Sequence, residues 1–189
     1  DLKKVESRLL EGDDDCPWFR IEQAQEQEGP EIYNFMQRIY EGIPDKSWFS
    51  MDKEEKILRY VATSGFTVKA EAPVGGHEYK LAGIFIARTS ELGEDNLGKY
   101  LNLNEEELTR VAHMEIAMVD EEFRGKGLQK SLMEVAEEQL KFLGYHWLMG
   151  TAHPENVYSV NNFRKLGYEI VAKDLKYGGL PRYVFCKKI

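Results

Sequence analysis

Cysteine is nearly missing from this 189-residue chain: Cys16 and Cys186 stand far apart. Two are too few for a disulfide framework, and neither has a partner at zinc-ligand spacing, so free thiols are expected. Histidine is equally sparse, at four residues, and no grouping of His, Cys and carboxylate suggests a bound metal. Long apolar runs are also lacking. No stretch approaches the roughly 18 apolar residues of a membrane span, and the opening DLKKVESRLLEGDDD has no apolar signal-peptide region. A cytoplasmic protein that engages no membrane is expected. Basic charge is in deficit, with 25 Lys and Arg against 33 Asp and Glu, a net −8. That balance argues against a nucleic-acid partner, which needs a broad cationic surface. It leaves room for a cationic small molecule, or serves solubility alone. Internal repeats and low-complexity tracts are absent.

What remains is a chain of single-domain length with 42% hydrophobic residues, enough for a sizeable core. Residues 1–17, with the acidic run Asp13–Asp15, are expected as a tail or a loosely docked helix, and the domain as 18–189. WFRIEQAQ from Trp18 alternates like a strand, while PEIYNFMQRIY puts Ile32, Phe35, Met36 and Ile39 on one helical face. MDKEEKILRYV predicts a second helix, with Asp52 as its N-cap and Gly65 past its end. FTVKAEA and KLAGIFIAR predict two strands about the turn-rich PVGGHEY. Residues 89–109 form a polar insertion too long for a structureless loop in a compact domain, so short helices covering a cleft are expected. AHMEIAMV then predicts a strand. The helix that follows carries Leu128, Leu132, Val135, Ala136, Leu140 and Leu143 and ends at Gly144. HWLMGTA, the short helix NVYSVNNFRKL closed by Gly167, and the strands YEIVAKDL and RYVFCKKI complete the chain. The class is α/β or α+β, a mixed sheet flanked by helices.

Between the strand AHMEIAMV and its helix lies RGKGLQKS, residues 124–131. Neither Gly125 nor Gly127 is followed by the x-x-x-x-G-K-S/T of a nucleotide-hydrolysing P-loop. The dinucleotide pattern G-x-G-x-x-G begins at Gly125 and Gly127 but meets Lys130 at its last position, and it falls late in the chain. A third possibility is an R-x-x-G turn feeding a helix whose first N–H groups are unpaired and positively polarised, an end suited to a pyrophosphate. A plain turn before an amphipathic helix is the structural alternative.

HMEIAMV, DEEFRGKGLQKSLMEVAEEQ and HPENVYSVNNFRKLGYEI together resemble the Gcn5-related N-acetyltransferase (GNAT) superfamily, from about Trp18 to Ile189. The resemblance implies an acyl-CoA N-acyltransferase-like fold, with a mostly antiparallel six- to seven-stranded central sheet, and acetyl-CoA as co-substrate. By the family's R/Q-x-x-G-x-G/A element, Arg124, Gly125, Lys126, Gly127, Leu128 and Gln129 would hold the pyrophosphate on backbone amides. Gln129 departs from the usual small residue and would either crowd the phosphates or turn away to make a hydrogen bond. The pattern N-x-x-[AS]-x-x-x-Y maps to Asn156, Ser159 and Phe163 at the thiol end. Phe163 replaces the tyrosine that protonates the leaving thiolate in many relatives. In the family the strand at 113–119 splays from its neighbour, leaving backbone near Met118 and Val119 to pair with pantetheine and the thioester carbonyl. A homodimer is compatible with folds of this kind.

An amine attacks a thioester only as the free base, which requires a nearby proton acceptor. Strict alternation would put His113, Glu115, Ala117 and Val119 on one face of the strand, with Met114, Ile116 and Met118 on the core face. Glu115 is the candidate base, since a carboxylate in a central strand needs a cleft or a partner; an ion pair with Arg, Lys or His113 is its structural alternative. His113 is the candidate proton shuttle or a satisfied structural residue, and His153 a strand-end residue near the coenzyme. Tyr40, Glu41, Trp48, Phe49 and the hairpin about Tyr177–Arg182 are candidates for acceptor recognition, although Trp and Phe at helix borders mostly pack. The expected reaction is acetyl transfer to a primary amine of a small molecule or amino acid by direct attack. A non-catalytic acyl-CoA sensor of the same fold is the alternative, and nicotinamide dinucleotide binding a third reading.

Overall fold

Apolar spacing decides where the helices form. In a computed structural model that describes residues 4–189, α1 (Gly29–Glu41) takes Pro30 in its first turn, where a missing N–H costs nothing. It buries Ile32, Phe35, Met36 and Ile39, the face read from the sequence. α2 (Glu54–Ala62) buries Ile57, Tyr60 and Val61. Its N-cap is Lys53 rather than Asp52, which frees the Asp52 side chain for another role. α4 (Leu128–Phe142) buries Leu128, Leu132, Val135, Ala136 and Leu140, and Gly144 follows it at φ +92. α3 (Glu105–Leu108) and α5 (Val157–Lys165) are shorter.

Eight strands form one sheet: β1 (Arg8–Glu11), β2 (Trp18–Gln23), β3 (Gly65–Gly75), β4 (Glu78–Arg88), β5 (Val111–Val119), β6 (Trp147–Ala152), β7 (Glu169–Lys176) and β8 (Leu180–Lys188). Their spatial order is β1-β2-β3-β4-β5-β6-β8-β7. Only β5 and β6 run parallel; the other pairs are antiparallel. The mixed fold is as expected, with eight strands in place of six or seven. One addition is β1, which pairs Arg8–Glu11 with Ile21–Trp18. The described part of segment 1–17 is therefore sheet and turn, not a tail or a docked helix. Its four-residue strand is largely exposed and carries too little alternation to be seen in the sequence.

The sheet separates two apolar layers. On one side α4 packs through Leu128, Leu132, Met133 and Ala136 against Phe19, Phe85, Ala112, Met114 and Phe185. On the other, α1 and α2 pack Ile32, Met36, Ile57 and Val61 against Ile84, Ile86, Ile116 and Met118. The insertion folds as expected into short helical turns at 93–95 and 97–101 followed by α3. Leu97 anchors it in a small cluster with Val111, Met149 and Val184.

Candidate active site

Two departures from regular pairing in β5 create the site. The first is a bulge. Ile86 pairs with Ile116 and Ala87 with Met114, so Glu115 has no opposite number on β4. An extra residue shifts the alternation by one position. Met114 thus joins Ala117 and Val119 in the α4 layer, while Ile116 and Met118 face α1 and α2. The strict period of two fails at Glu115, where the bulge re-aims the side chain into a cleft beside His113.

The second departure is a splay. β5 and β6 pair only at Val111–Trp147, Ala112–Leu148 and His113–Met149. Beyond that point β5 stays on β4 to Val119 and β6 stays on β8 to Ala152. The facing edges lose their mutual ladder and can receive a ligand's polar groups. The ring of Phe163 is wedged beneath the divergence: a Cβ on Gly150 would lie 2.7 Å from Phe163 Cζ and 2.9 Å from the Met114 carbonyl oxygen. Phe163 stacks on Phe185 with centroids 4.6 Å apart and meets Tyr168 edge-on at 5.0 Å. It is a core ring whose edge lines the throat of the cleft.

One arm of the cleft, about 210 Å³, runs between Ala117–Val119 and Asn156, Ser159 and Gln129, with Arg124 at its outer end. Gly125 and Gly127 take φ +78 and +71, and a Cβ at either would meet open space. The turn therefore needs glycine for its backbone shape and presents that backbone to solvent. Gly127 is the N-cap of α4 and brings no side-chain cap, so the helix's first N–H groups remain available to an anion. Leu128 is core. Gln129 turns inward, away from that helix end; it is buried, with Nε2 3.5 Å from Ser159 Oγ. Asn156 caps α5, accepting from the Ser159 N–H at 3.3 Å. Arg124 is exposed, and Lys126 is paired with Asp13 of the β1–β2 turn.

The second arm, about 310 Å³, lies on the other side of Trp48 and Phe49 and is lined by Glu115, His113, Asp52, Tyr60 and Arg88. His113 is buried, and its Nε2 accepts the Leu97 N–H at 3.0 Å. The neutral ring then carries its proton on Nδ1, which lies 3.4 Å from Glu115 Oε2. Arg88 Nη1 stands 3.9 Å from Glu115 Oε1. Burial, with the nearby Glu115 charge, raises the Asp52 carboxyl above its ordinary pKa, against the pull of Lys56. Burial and the same two carboxylates raise the Tyr60 hydroxyl. Trp48 lines both arms, and its Nε1 is buried without a partner among the described residues.

Of the aromatic and acidic candidates, Trp48, Phe49 and the hairpin residues Tyr177 and Arg182 line the cleft. Tyr40 packs on Phe49 instead, with centroids 6.1 Å apart, and Glu41 is exposed. His153 lies at the end of β6, accepts the Glu155 N–H on Nδ1 at 3.0 Å, and neighbours the Trp48 ring. Sequence reading missed Asp52, Tyr60, Arg88 and Lys176. Asp52 read as a cap and Tyr60 as part of an apolar face, and only the packing of α2 on β3 and β4, beside Glu115, reveals their second function as lining. Both cysteines are unpaired; burial pushes the Cys186 thiol up to about 11. No helix among the described residues is long and apolar enough to cross a membrane.

A cleft running from an anion-receptive helix end, through a split sheet, to a carboxylate is suited to acyl transfer from an extended, phosphate-bearing donor. The protein-family model for the acetyltransferase (GNAT) family matches residues 13–168, and the chain belongs to that family. It is thereby an acetyltransferase, with acetyl-CoA as co-substrate. No curated protein matches the sequence. Solved structures share its fold at low identity. A GNAT-family acetyltransferase from Streptococcus pneumoniae aligns at TM-score 0.68 and 18% identity, over 90% of this chain and 99% of its own. Arabidopsis thaliana NAA60 in complex with acetyl-CoA aligns at 0.68 and 14%, over 90% and 98%. The Escherichia coli ribosomal-protein-S18-alanine N-acetyltransferase aligns at 0.64 and 14%, over 90% and 94%.

Proposed function

We propose that this acetyltransferase transfers the acetyl group to a primary amine of a small molecule or amino acid, with no covalent enzyme intermediate. The observation that carries the reading is the bulge that turns Glu115 into the cleft where β5 and β6 part. Acetyl-CoA supplies an activated acyl group on a thiol; with a reference thiol pKa of about 8.5, the thiolate is a tolerable leaving group. The turn Arg124–Gly127 and the first N–H groups of α4 receive the pyrophosphate, with Arg124 as an exposed cation beside them. Met118 and Val119 line the way to the throat, where Gln129, Asn156, Ser159 and the Phe163 ring shape the thiol end.

Glu115 acts as the base, taking a proton from the acceptor ammonium directly or through one water. The freed amine forms the N–C bond as the C–S bond breaks, and its second proton balances the departing thiolate. His113 is a positioning residue. Its Nε2 is occupied by the Leu97 N–H, so it acts by aiming Nδ1–H at Glu115. Phe163 has no proton to give, which leaves water or a neighbouring hydroxyl as donor. The protein acts as a cytoplasmic enzyme, and a homodimer is compatible with this reading.

Calorimetric titration with acetyl-CoA, with NADH as control, tests the donor arm; mass spectrometry of an amine panel incubated with acetyl-CoA tests transfer. Binding of acetyl-CoA alone and an acetylated product are expected. Binding without product across a broad panel would instead favour a non-catalytic acyl-CoA sensor.

A further inference from the structure

The four Lys and Arg residues lining the acceptor arm divide by their partners. Lys56 lies 3.8 Å from Asp52 and Arg88 3.9 Å from Glu115. On the opposite wall, Lys176 and Arg182 of the β7–β8 hairpin form no ion pair among the described residues. Asp174 sits directly across from Arg182 in the strand register, yet it accepts from the Tyr100 hydroxyl instead. Arg182 is 3% exposed. Its guanidinium donates to two neutral acceptors, the Pro181 carbonyl at 2.7 Å and the Ser47 carbonyl at 2.8 Å. It also lies 5.3 Å from the centre of the Tyr177 ring. Five N–H donors exceed two carbonyls, and a buried cation without a counter-charge is costly. Burial depresses the pKa of both Arg182 and Lys176, with Lys99 adding to the effect on Lys176 and Asp174 and Asp95 opposing it.

The arm is thus polarised. Carboxylates of Asp52 and Glu115 stand on the β5 and α2 side, and on the hairpin side Arg182 has no counter-charge, while Asp95 of the insertion, which also lines the arm, and Asp174 act on Lys176 from a distance. We propose that the acceptor is a free amino acid, its amine presented to Glu115 and its carboxylate received by the buried Arg182 with Lys176 beside it. The inference rests on the amine acetyltransfer proposed above and narrows it. A peptide N-terminus has an amide where the free amino acid has its carboxylate, and it would leave Arg182 without an anion.

The test is a screen of the twenty common amino acids with acetyl-CoA, following thiol release, with each accepted amino acid then compared with its carboxamide. Wild-type protein is expected to prefer the acid roughly 10- to 100-fold in kcat/KM, mainly through KM, the range of a charge-assisted contact. R182Q is expected to bring that ratio towards one, and R182K to retain part of it. Because Arg182 also holds the Ser47 turn, the ratio is the deciding readout: a loosened turn slows acid and amide alike. Equal use of acid and amide by the wild type, or an unchanged ratio in R182Q, would overturn the inference and leave acetyl transfer standing. No acetylation of any amine by protein that binds acetyl-CoA would overturn both.

Discussion

Replacing Glu115 by Gln keeps the side chain's size and its capacity to accept from His113 Nδ1–H, now 3.4 Å away, but removes the proton acceptor. Arg88, a long 3.9 Å from the carboxylate, keeps its bond to the Glu91 carbonyl. Loss of a positioned general base costs typically about 10²- to 10⁴-fold in rate, or roughly 2.7–5.4 kcal/mol of barrier. The pH dependence identifies the cause. Once the enzyme no longer deprotonates the ammonium, turnover depends on amine already free in solution, and that fraction rises about tenfold per pH unit below the amine's own pKa. The E115Q deficit should therefore be greatest at neutral pH and shrink as pH rises. Steady-state thiol release between neutral and moderately alkaline pH, with acetyl-CoA affinity measured in parallel, checks this. Unchanged turnover, or a deficit identical at every pH, would remove Glu115 from the proton path.

Gly127→Val forces a β-branched residue to φ +71 and places a side chain beside the free N–H groups. A cost of about 1–3 kcal/mol and lost acetyl-CoA binding are expected, and undiminished calorimetric affinity would refute the pyrophosphate role. Phe163→Tyr adds a hydroxyl at a ring already packed on Gly150 and Phe185. A stability loss of about 1–3 kcal/mol is expected from overpacking, with little change in kcat; faster turnover would show that an acid had been lacking. Asp52 has its pKa raised in the fold, so folding favours its protonated form, and that stabilisation is present at low pH and lost as pH rises through the raised pKa. Asp52→Asn should accordingly melt higher than the wild type at neutral pH and equally at acid pH, and coincident midpoints throughout would contradict the burial argument. Leu132→Ala, at a fully buried position, should cost about 2–5 kcal/mol in denaturant unfolding; less than 1 kcal/mol would mean that α4 is not the keystone of its layer.

Helix faces were legible in the sequence because a period of 3.6 is local: Ile32, Phe35, Met36 and Ile39 needed no knowledge of what they would meet. The glycine turn was legible as a turn for a similar reason, since left-handed backbone is set by neighbouring residues, whereas the Asn156–Ser159 pair was marked by the family resemblance and the structure shows it as the cap of α5. Strand β1 was not, because four mostly exposed residues gain their order from pairing with β2 rather than from their own pattern. The bulge at Glu115 belongs to two strands at once. Alternation along β5 alone put Met114 with Ile116 and Met118, and only registration against Ile86 and Ala87 separates them. The same holds for the acceptor arm. Asp52, Tyr60, Glu115 and Arg182 come from four elements scattered over some 130 residues of chain, and their shared cleft and unbalanced charges exist only once the sheet has split and the hairpin has closed over it. Local pattern and the family resemblance therefore marked the turn and helix end at 124–129 in advance, and long-range packing alone decided what lines the second arm of the cleft.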